Sequence, residues 1–223
     1  MIWLLDLDNT LVGRTDAFAS WAETAVAEAG APPEVLAEIL EVDQDGHGSK
    51  EALARLLVDR LGWDDDVPAA IDRFRAGIVD GLRPYDGVPA LLEELRAAGH
   101  RVAVVTNGAS AQQRAKIDRA GLDGRVDAVV VSDEEGVAKP DPRLLEIALD
   151  RLGARDVDRD RVWMVGDAAH ADVAAGRAAG VRTAWVSHGR AWAGGDRPDV
   201  VAATTREAIE LALRPAAVTA PRR

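Results

Sequence analysis

The sequence predicts an α/β protein built on a Rossmann-like parallel sheet with helices on both faces, plus a small all-helical insertion after the first strand. Two observations support this prediction. Short apolar runs that are continuous rather than alternating recur between helical segments, as is typical of strands buried on both faces. The first run, at residues 2–5, is followed by residues 14–82, which show helical periodicity and no strand signal.

The insertion is predicted to contain four helices. In the first, apolar residues repeat at spacings of three and four, with Thr15 or Asp16 as the expected N-cap and Gly30 as the expected end. The third is expected to begin at Ser49, and a turn at 84–87 closes the insertion. Residues 14–82 are therefore expected to form a helical cap.

From residue 83 onward, predicted helices and strands alternate. The predicted strands lie at 102–105, 128–131, 162–165, 183–186 and, weakly, 199–202, and the predicted helices at 88–98, 110–120, 140–152, 169–179 and 205–213. Residues 1–13 and 83–213 are thus expected to form one α/β core domain. The last ten residues, 214–223, are expected to be a loose tail.

Composition narrows the range of partners. The chain has 223 residues, of which 48% are apolar and 29% charged, as in an ordinary globular protein. It has no cysteine and no apolar run of the ~20 residues that a membrane span needs. Because no basic and apolar leader precedes the first strand, we expect no signal peptide and a cytoplasmic location. The net charge of −11 argues against nucleic-acid binding, and the oligomeric state is not readable.

Two carboxylates directly follow the first apolar run. Asp6 and Asp8 lie one residue apart at the end of a strand that is predicted to be buried. Like charges held close together at such a position repel each other, so one carboxylate must bind a proton or both must share a cation. The pattern therefore indicates a site, and favours a metal.

Polar residues also follow three later strands. These residues are Thr106-Asn107-Gly108, Lys139-Pro140, and the stretch from Gly166 to Asp172 that includes Asp167. Each alone has an ordinary structural interpretation as a turn, a helix cap or a solvated lysine. Ligands of open parallel sheets bind beyond the carboxyl ends of the strands, so the ordered set predicts one functional site.

Four motifs resemble those of the haloacid dehalogenase-like hydrolase superfamily. They are D-L-D-N-T at 6–10, V-V-T-N-G at 104–108, V-A-K-P at 137–140 and G-D-A-A-H-A-D at 166–172. The resemblance covers nearly all of residues 1–213, including the helical cap. The stretch at 132–142 is further similar to the branch that contains nucleotidases and small-metabolite phosphatases.

The resemblance implies a Mg²⁺-dependent phosphatase that acts on a small phosphorylated metabolite through an aspartyl-phosphate. It implies that Asp6 is the nucleophile and that Asp8 is first the general acid and then the general base. It further implies that Asp6, the backbone carbonyl of Asp8 and the side chain of Asp167 bind Mg²⁺, which prefers oxygen ligands. Asp172 is expected beside them, orienting a metal-bound water or Lys139.

The remaining motif residues are implied to bind the phosphate. Lys139 would neutralise charge on the nucleophile and on the phosphoryl group in the transition state. Thr106 would donate its hydroxyl to a phosphate oxygen, and the amides of Asn107 and Gly108 would do the same at a helix start. An acidic protein could bind a phosphate in this way.

The chain departs from the family pattern in one motif. Ala168 and Ala171 stand where the family often has Ser and Asn, so contacts around the metal are expected to differ. Whether Arg14, His47 and Lys50 of the insertion read the substrate, or only join helices, stays open. A cap of this kind could close over the site and exclude water.

Three other functions are compatible with parts of this pattern. A phosphomutase of the same fold would pass the phosphoryl group to a sugar hydroxyl rather than to water. A 2-haloacid dehalogenase would attack carbon without a metal, and is disfavoured because Asp8 and Asp167 are retained. A non-catalytic protein could use the same residues for binding alone, which the intact Asp6, Asp8, Lys139 and Asp167 disfavour.

Overall fold

The computed structural model describes residues 1–214, which form two compact units. The first unit, which we call the sheet unit, consists of Met1–Leu11, Asp86–Asn107 and the residues from Gly124 onward. The second, the helical unit, consists of Val12–Tyr85 and Gly108–Asp123. The predicted domain limits at residues 13 and 83 lie close to two of these boundaries and remain a prediction.

The sheet unit contains, within the described residues, a sheet of six parallel strands. In chain order they are β1 (Ile2–Leu5), β2 (Arg101–Thr106), β3 (Ala128–Val131), β4 (Val162–Gly166), β5 (Arg182–Val186) and β6 (Val200–Ala202). The strand order is β3-β2-β1-β4-β5-β6, with every neighbouring pair parallel. The predicted fold class is confirmed, and β1 lies in the middle of the sheet.

Helices occupy most of the remaining described residues. In chain order they are α1 (Arg14–Glu28), α2 (Glu34–Asp43), α3 (Lys50–Leu61), α4 (Val67–Gly81), α5 (Val88–Ala97), α6 (Ser110–Arg119), α7 (Ser132–Glu135), α8 (Arg143–Arg151), α9 (Ala174–Ala178) and α10 (Thr205–Leu213). Short 3₁₀ turns lie at Gln44–Gly46 and Arg159–Arg161, and a π-helical turn at Ala169–Val173 precedes α9. Among residues 1–214, no helix is long and apolar enough to cross a membrane.

The buried strands explain why the sheet forms from these segments. All four residues of β1 and all five of β4 are buried, as the continuous apolar runs predicted. Leu4 and Met164, which pair in register across β1 and β4, share one apolar cluster with residues of α8. Burial of apolar side chains on both faces stabilises such a sheet, and it fixes the ends of neighbouring strands at one edge.

The helix predicted at 140–152 begins later than expected, at Arg143. Lys139 and Asp141 each precede a proline, and a residue before proline disfavours the helical conformation. The amide of Asp141 instead donates to the carbonyl of Ala138 at 2.9 Å, which makes a turn. This turn separates Lys139 from the start of α8.

The first helix of the insertion also begins differently from the prediction. Its N-cap is Gly13 rather than Thr15 or Asp16, which both lie inside α1. The amide of Gly13 donates to the carbonyl of Arg83 at 3.1 Å, so the chain turns into the helix directly after contacting the far end of the insertion. The predicted cap of α3 is confirmed, because Ser49 accepts a hydrogen bond from the amide of Ala52.

Aromatic side chains form the centre of the helical unit. The ring of Trp21 lies 5.6 Å from that of Phe18 and 6.2 Å from that of Phe74, and both phenylalanines are fully buried. A Cβ on Gly77 would come within 2.1 Å of the Trp21 indole, so only glycine allows this approach. The predicted tail at 214–223 lies, apart from Arg214, outside the described residues.

Candidate active site

Two predicted site carboxylates leave the sheet from neighbouring strands. Asp6 directly follows β1 and Asp167 directly follows β4, and these strands pair in register up to Leu5 and Val165. The amide of Asp6 extends the ladder by donating to the carbonyl of Val165 at 2.9 Å. Both side chains are nearly buried, with residue exposures of 8% and 6%. The strand register therefore brings these two carboxylates together.

Lys139 contacts Asp6 and Asp172 inside the sheet unit. Its Nζ lies 2.6 Å from Oδ1 of Asp6 and 2.7 Å from Oδ1 of Asp172, and it donates to the carbonyl of Val105 at 2.6 Å. Burial lowers the pKa of Lys139, but the two adjacent carboxylates more than offset this, so the net shift is upward. The two carboxylates therefore favour the charged ammonium form of Lys139.

The side chain of Asn107 holds the backbone of Lys139 in place. Its Nδ2 donates to the carbonyl of Lys139 at 2.9 Å, and its Oδ1 accepts from the amide of Lys139 at 2.9 Å. One side-chain amide thus pairs with both main-chain groups of the lysine. The sequence predicted only a backbone role for Asn107, and this side-chain contact was missed.

The backbone of the fourth motif holds Asp172. Its Oδ2 accepts a hydrogen bond from the amide of Ala168 at 2.9 Å, which needs no hydroxyl at position 168. A Cβ on Gly166 would lie 2.1 Å from the same Oδ2, so glycine is required for this close approach. Asp172 lies in the π-helical turn, is 1% exposed and forms an ion pair with Lys139. Its role in orienting Lys139 or a metal-bound water stays a prediction.

Three carboxylates converge closely enough to hold a metal ion. Ligand oxygens of Asp6, Asp167 and Asp172 all lie within 4.8 Å of one another. Burial raises the pKa of Asp6, and repulsion from the neighbouring carboxylates raises it further. Lys139 lowers this pKa but does not offset the rise, and the pKa of Asp6 is about 8. Burial and then Asp172 raise the pKa of Asp167 to about 7. An oxygen-only donor set with unmatched negative charge fits Mg²⁺.

Asp8 follows Asp6 in a tight turn. The amide of Leu11 donates to the carbonyl of Leu7 at 2.9 Å, and Asn9 adopts a left-handed conformation with a φ of 56°. The backbone carbonyl oxygen of Asn9 lies 2.6 Å from Nε2 of His188, within hydrogen-bonding distance. The half-buried carboxylate of Asp8 does not belong to the three-carboxylate group described above. Its predicted metal contact is through the backbone carbonyl.

The predicted phosphate-binding residues are divided between the two units. Thr106 ends β2 and is 1% exposed, and its hydroxyl lies 3.5 Å from the carbonyl of Asn107. Gly108 belongs to the helical unit and is exposed, with a φ of 142° that other residues rarely adopt. A Cβ at this position would lie 3.1 Å from the side chain of Gln113. Phosphate binding by these three residues stays a prediction.

Comparison with known proteins identifies the family. A family model described as haloacid dehalogenase-like hydrolase matches residues 2–180. The chain belongs to this family. The match includes all four of the motifs described above.

Relatives of known activity in this family act on phosphate esters. The chain is 34% identical over 195 residues to a phosphoglycolate phosphatase of Rhodospirillum rubrum. This match covers 83% of the chain and 79% of that enzyme. It is 36% identical over 116 residues to the pyrimidine 5′-nucleotidase YjjG of Escherichia coli. This second match covers 52% of the chain and only 50% of that enzyme's length.

A solved structure of a family member shares the fold. It is the hydrolase YfnB of Bacillus subtilis bound to magnesium, with a TM-score of 0.79 and 19% identity. The match covers 96% of this chain and 98% of that one. At this identity the likeness shows the fold alone.

Two residues around Asp167 were missed from the sequence. The indole Nε1 of Trp185 donates to the carbonyl of Asp167 at 2.7 Å. Nη2 of Arg190 lies 3.2 Å from both the carbonyl oxygen and Oδ2 of Asp167. Both residues lie on or just after β5, so the strand-end rule that identified the other site residues could also have found Arg190.

Two of the three insertion residues whose role the sequence leaves open have contacts within the insertion. Arg14 makes a two-pronged ion pair with Asp43, and both residues are buried. Nζ of Lys50 donates to the carbonyl of Gly46 at 2.7 Å and to that of Gly48 at 3.3 Å. Burial, then the charge of Arg14, lowers the pKa of Lys50 to about 8.

These contacts support the structural interpretation of Arg14 and Lys50, since each helps to hold the 3₁₀ turn between α2 and α3. His47 lies in the same connection and is exposed. A role for any of the three in reading the substrate of this family member stays a prediction.

Proposed function

We propose that this family member is a Mg²⁺-dependent phosphatase that hydrolyses a small phosphomonoester through an aspartyl-phosphate on Asp6. The observation that supports it most strongly is the group formed by Asp6, Asp167, Asp172 and Lys139. A buried carboxylate beside a buried ammonium and two further carboxylates provides a nucleophile, a cation for phosphate charge and ligands for a metal.

In the first step, Asp6 attacks the phosphorus atom and the bond from phosphorus to the ester oxygen breaks. Lys139 donates to Oδ1 of Asp6, and we propose that the other carboxylate oxygen attacks. Asp8 gives a proton to the departing alkoxide, so the product leaves as a neutral alcohol. When bound, Mg²⁺ would be held by Asp6, Asp167 and the carbonyl of Asp8, and would screen the repulsion between carboxylate and phosphate.

In the second step, water attacks the same phosphorus atom. Asp8, now ionised, takes the proton of this water as general base, and the bond from phosphorus to Asp6 breaks. Inorganic phosphate leaves and Asp6 is regenerated as a carboxylate. Asp172 and then Asp6 raise the pKa of Lys139, and its positive charge balances the negative charge of both transition states. Thr106 and the amides of Asn107 and Gly108 are proposed to bind the phosphate oxygens.

The relatives support small phosphorylated metabolites as the proposed substrate class. A phosphoglycolate phosphatase and a pyrimidine nucleotidase both match the chain, and we propose a nucleotide, a sugar phosphate or a phosphoglycolate-like acid as substrate. A cytoplasmic location, and a role of the helical insertion as a cap over the substrate, are part of the same proposal.

The test is phosphate release from a panel of these esters, with Mg²⁺ or with excess chelator. We expect release from at least one ester, and a fall of about 100-fold or more in chelator, since the charge screening is lost. Full release in chelator would overturn the metal-dependent mechanism. Halide release from a 2-haloacid in chelator would indicate a dehalogenase, and a requirement for a sugar bisphosphate would indicate a phosphomutase.

A further inference from the structure

Arg190 is anchored beside the carboxylate proposed to bind the metal. Its Nη2 lies 3.2 Å from Oδ2 of Asp167, and its Nε donates to the carbonyl of Ser187 at 3.0 Å. The guanidinium carbon also lies 5.7 Å from the centre of the Trp185 ring, within the range of a cation–π contact. These contacts hold a second cation, besides Lys139, at the three-carboxylate group.

Lys139 and Arg190 form ion pairs with different carboxylates of the group. Lys139 forms ion pairs with Asp6 and Asp172, whereas Arg190 forms one with Asp167. Without a metal ion, the three carboxylates therefore share two positive partners from the protein, and one negative charge is left unbalanced. A divalent cation added to this group would bring two positive charges close to both side chains, which disfavours the three cations being present together.

The exposure of the two cations decides which one gives way. The side chain of Lys139 is 2% exposed, so moving it would leave two buried carboxylates without their partner. The side chain of Arg190 is 45% exposed and comes from a loop, so returning its guanidinium to water costs less than moving Lys139. Arg190 is thus the cation that can leave.

We propose that Arg190 is the counter-ion of Asp167 in the metal-free protein and that it competes with the divalent cation for this carboxylate. Arg190 then acts as a positioning residue that sets the metal affinity of the site. The inference rests on the proposed function, because it requires that Mg²⁺ bind at Asp6 and Asp167. Nothing in the family motifs includes position 190, which lies outside residues 2–180 matched by the family model.

The test is calorimetric titration of Mg²⁺ into chelator-treated protein. We expect Arg190→Gln to bind Mg²⁺ about 10-fold more tightly than the wild type, because a like charge has been removed from beside the site. Arg190→Lys, which keeps the charge, should stay close to the wild type. The matched control is Arg182→Gln, since Arg182 is 41% exposed and pairs with Asp160 and Asp199 instead.

A second readout is thermal unfolding with and without Mg²⁺. Arg190→Gln should unfold at a lower temperature than the wild type without metal and show a larger rise on adding Mg²⁺, because a ligand that binds more tightly stabilises more. Unchanged or weaker Mg²⁺ binding by Arg190→Gln would overturn the inference while leaving the metal site intact. Failure of the wild type to bind Mg²⁺ would overturn the metal site of the proposed function and this inference with it.

Discussion

Replacing Asp6 by asparagine is expected to lower the turnover number for phosphate release by about 10³-fold or more, as is typical when a covalent nucleophile is removed. Asparagine has nearly the same size and keeps an oxygen that can accept the hydrogen bond from Lys139. Its amide cannot form an aspartyl-phosphate, so the first step loses its nucleophile. Steady-state phosphate release on the ester found in the panel measures the effect.

The matched control for Asp6→Asn is Asp150→Asn. This substitution removes the same negative charge, but from the surface of α8, where Asp150 pairs with the exposed Arg155. We expect wild-type turnover from the control and a wild-type circular dichroism spectrum from both variants. Turnover comparable to the wild type in Asp6→Asn would show that another group attacks phosphorus, and would reject Asp6 as the nucleophile.

Replacing Lys139 by methionine is expected to lower both activity and stability. The change leaves Asp6 and Asp172 buried without their shared cation, and removing one partner of a buried ion pair costs about 3–5 kcal/mol. Urea unfolding in excess chelator, near neutral pH, measures the loss of unfolding free energy. Phosphate release should fall by about 10²-fold or more, because a charge that balances the transition state is gone.

Two further variants separate the cause of this destabilisation. Lys50→Met removes a half-buried lysine that donates to the carbonyls of Gly46 and Gly48, so it should cost only about 1–2 kcal/mol. Adding Asp172→Asn to Lys139→Met should recover part of the lost stability without recovering activity. An equal loss in Lys139→Met and Lys50→Met would contradict the ion-pair explanation.

Much of the fold was predictable because its signals are local. The continuous apolar runs gave β1 to β5 to within one residue at each end, and α10 at 205–213 was predicted with its observed limits. Errors arose where non-local contacts or proline decided the outcome. The start of α1 depends on a hydrogen bond between Gly13 and Arg83, which are distant in sequence.

The residues of the site were predictable because parallel strands end at one edge, whereas their contacts were not. Lys139 meets Asp6 across 133 positions of the chain, and no pattern in the sequence gives that distance. The pairing of Asn107 with the backbone of Lys139 depends on two loops folding against each other. Arg190 was missed because it lies in a polar stretch that shows no motif.

The structure explains one of the two departures from the family pattern in the fourth motif, alanine in place of serine at position 168. The amide of Ala168 holds Asp172, so a hydroxyl at that position is not needed for this contact. Ala171 is 8% exposed, and nothing in the structure explains why alanine replaces the more usual asparagine there.

The most direct test of the central claim is to trap the phosphoryl group on the protein. Protein mixed with a radiolabelled substrate ester and Mg²⁺ is quenched in acid within the first turnover, and the label is mapped by mass spectrometry after proteolysis. The account predicts covalent label on Asp6 in the wild type and none in Asp6→Asn. Phosphate release without protein-bound label, or label on another side chain, would contradict it.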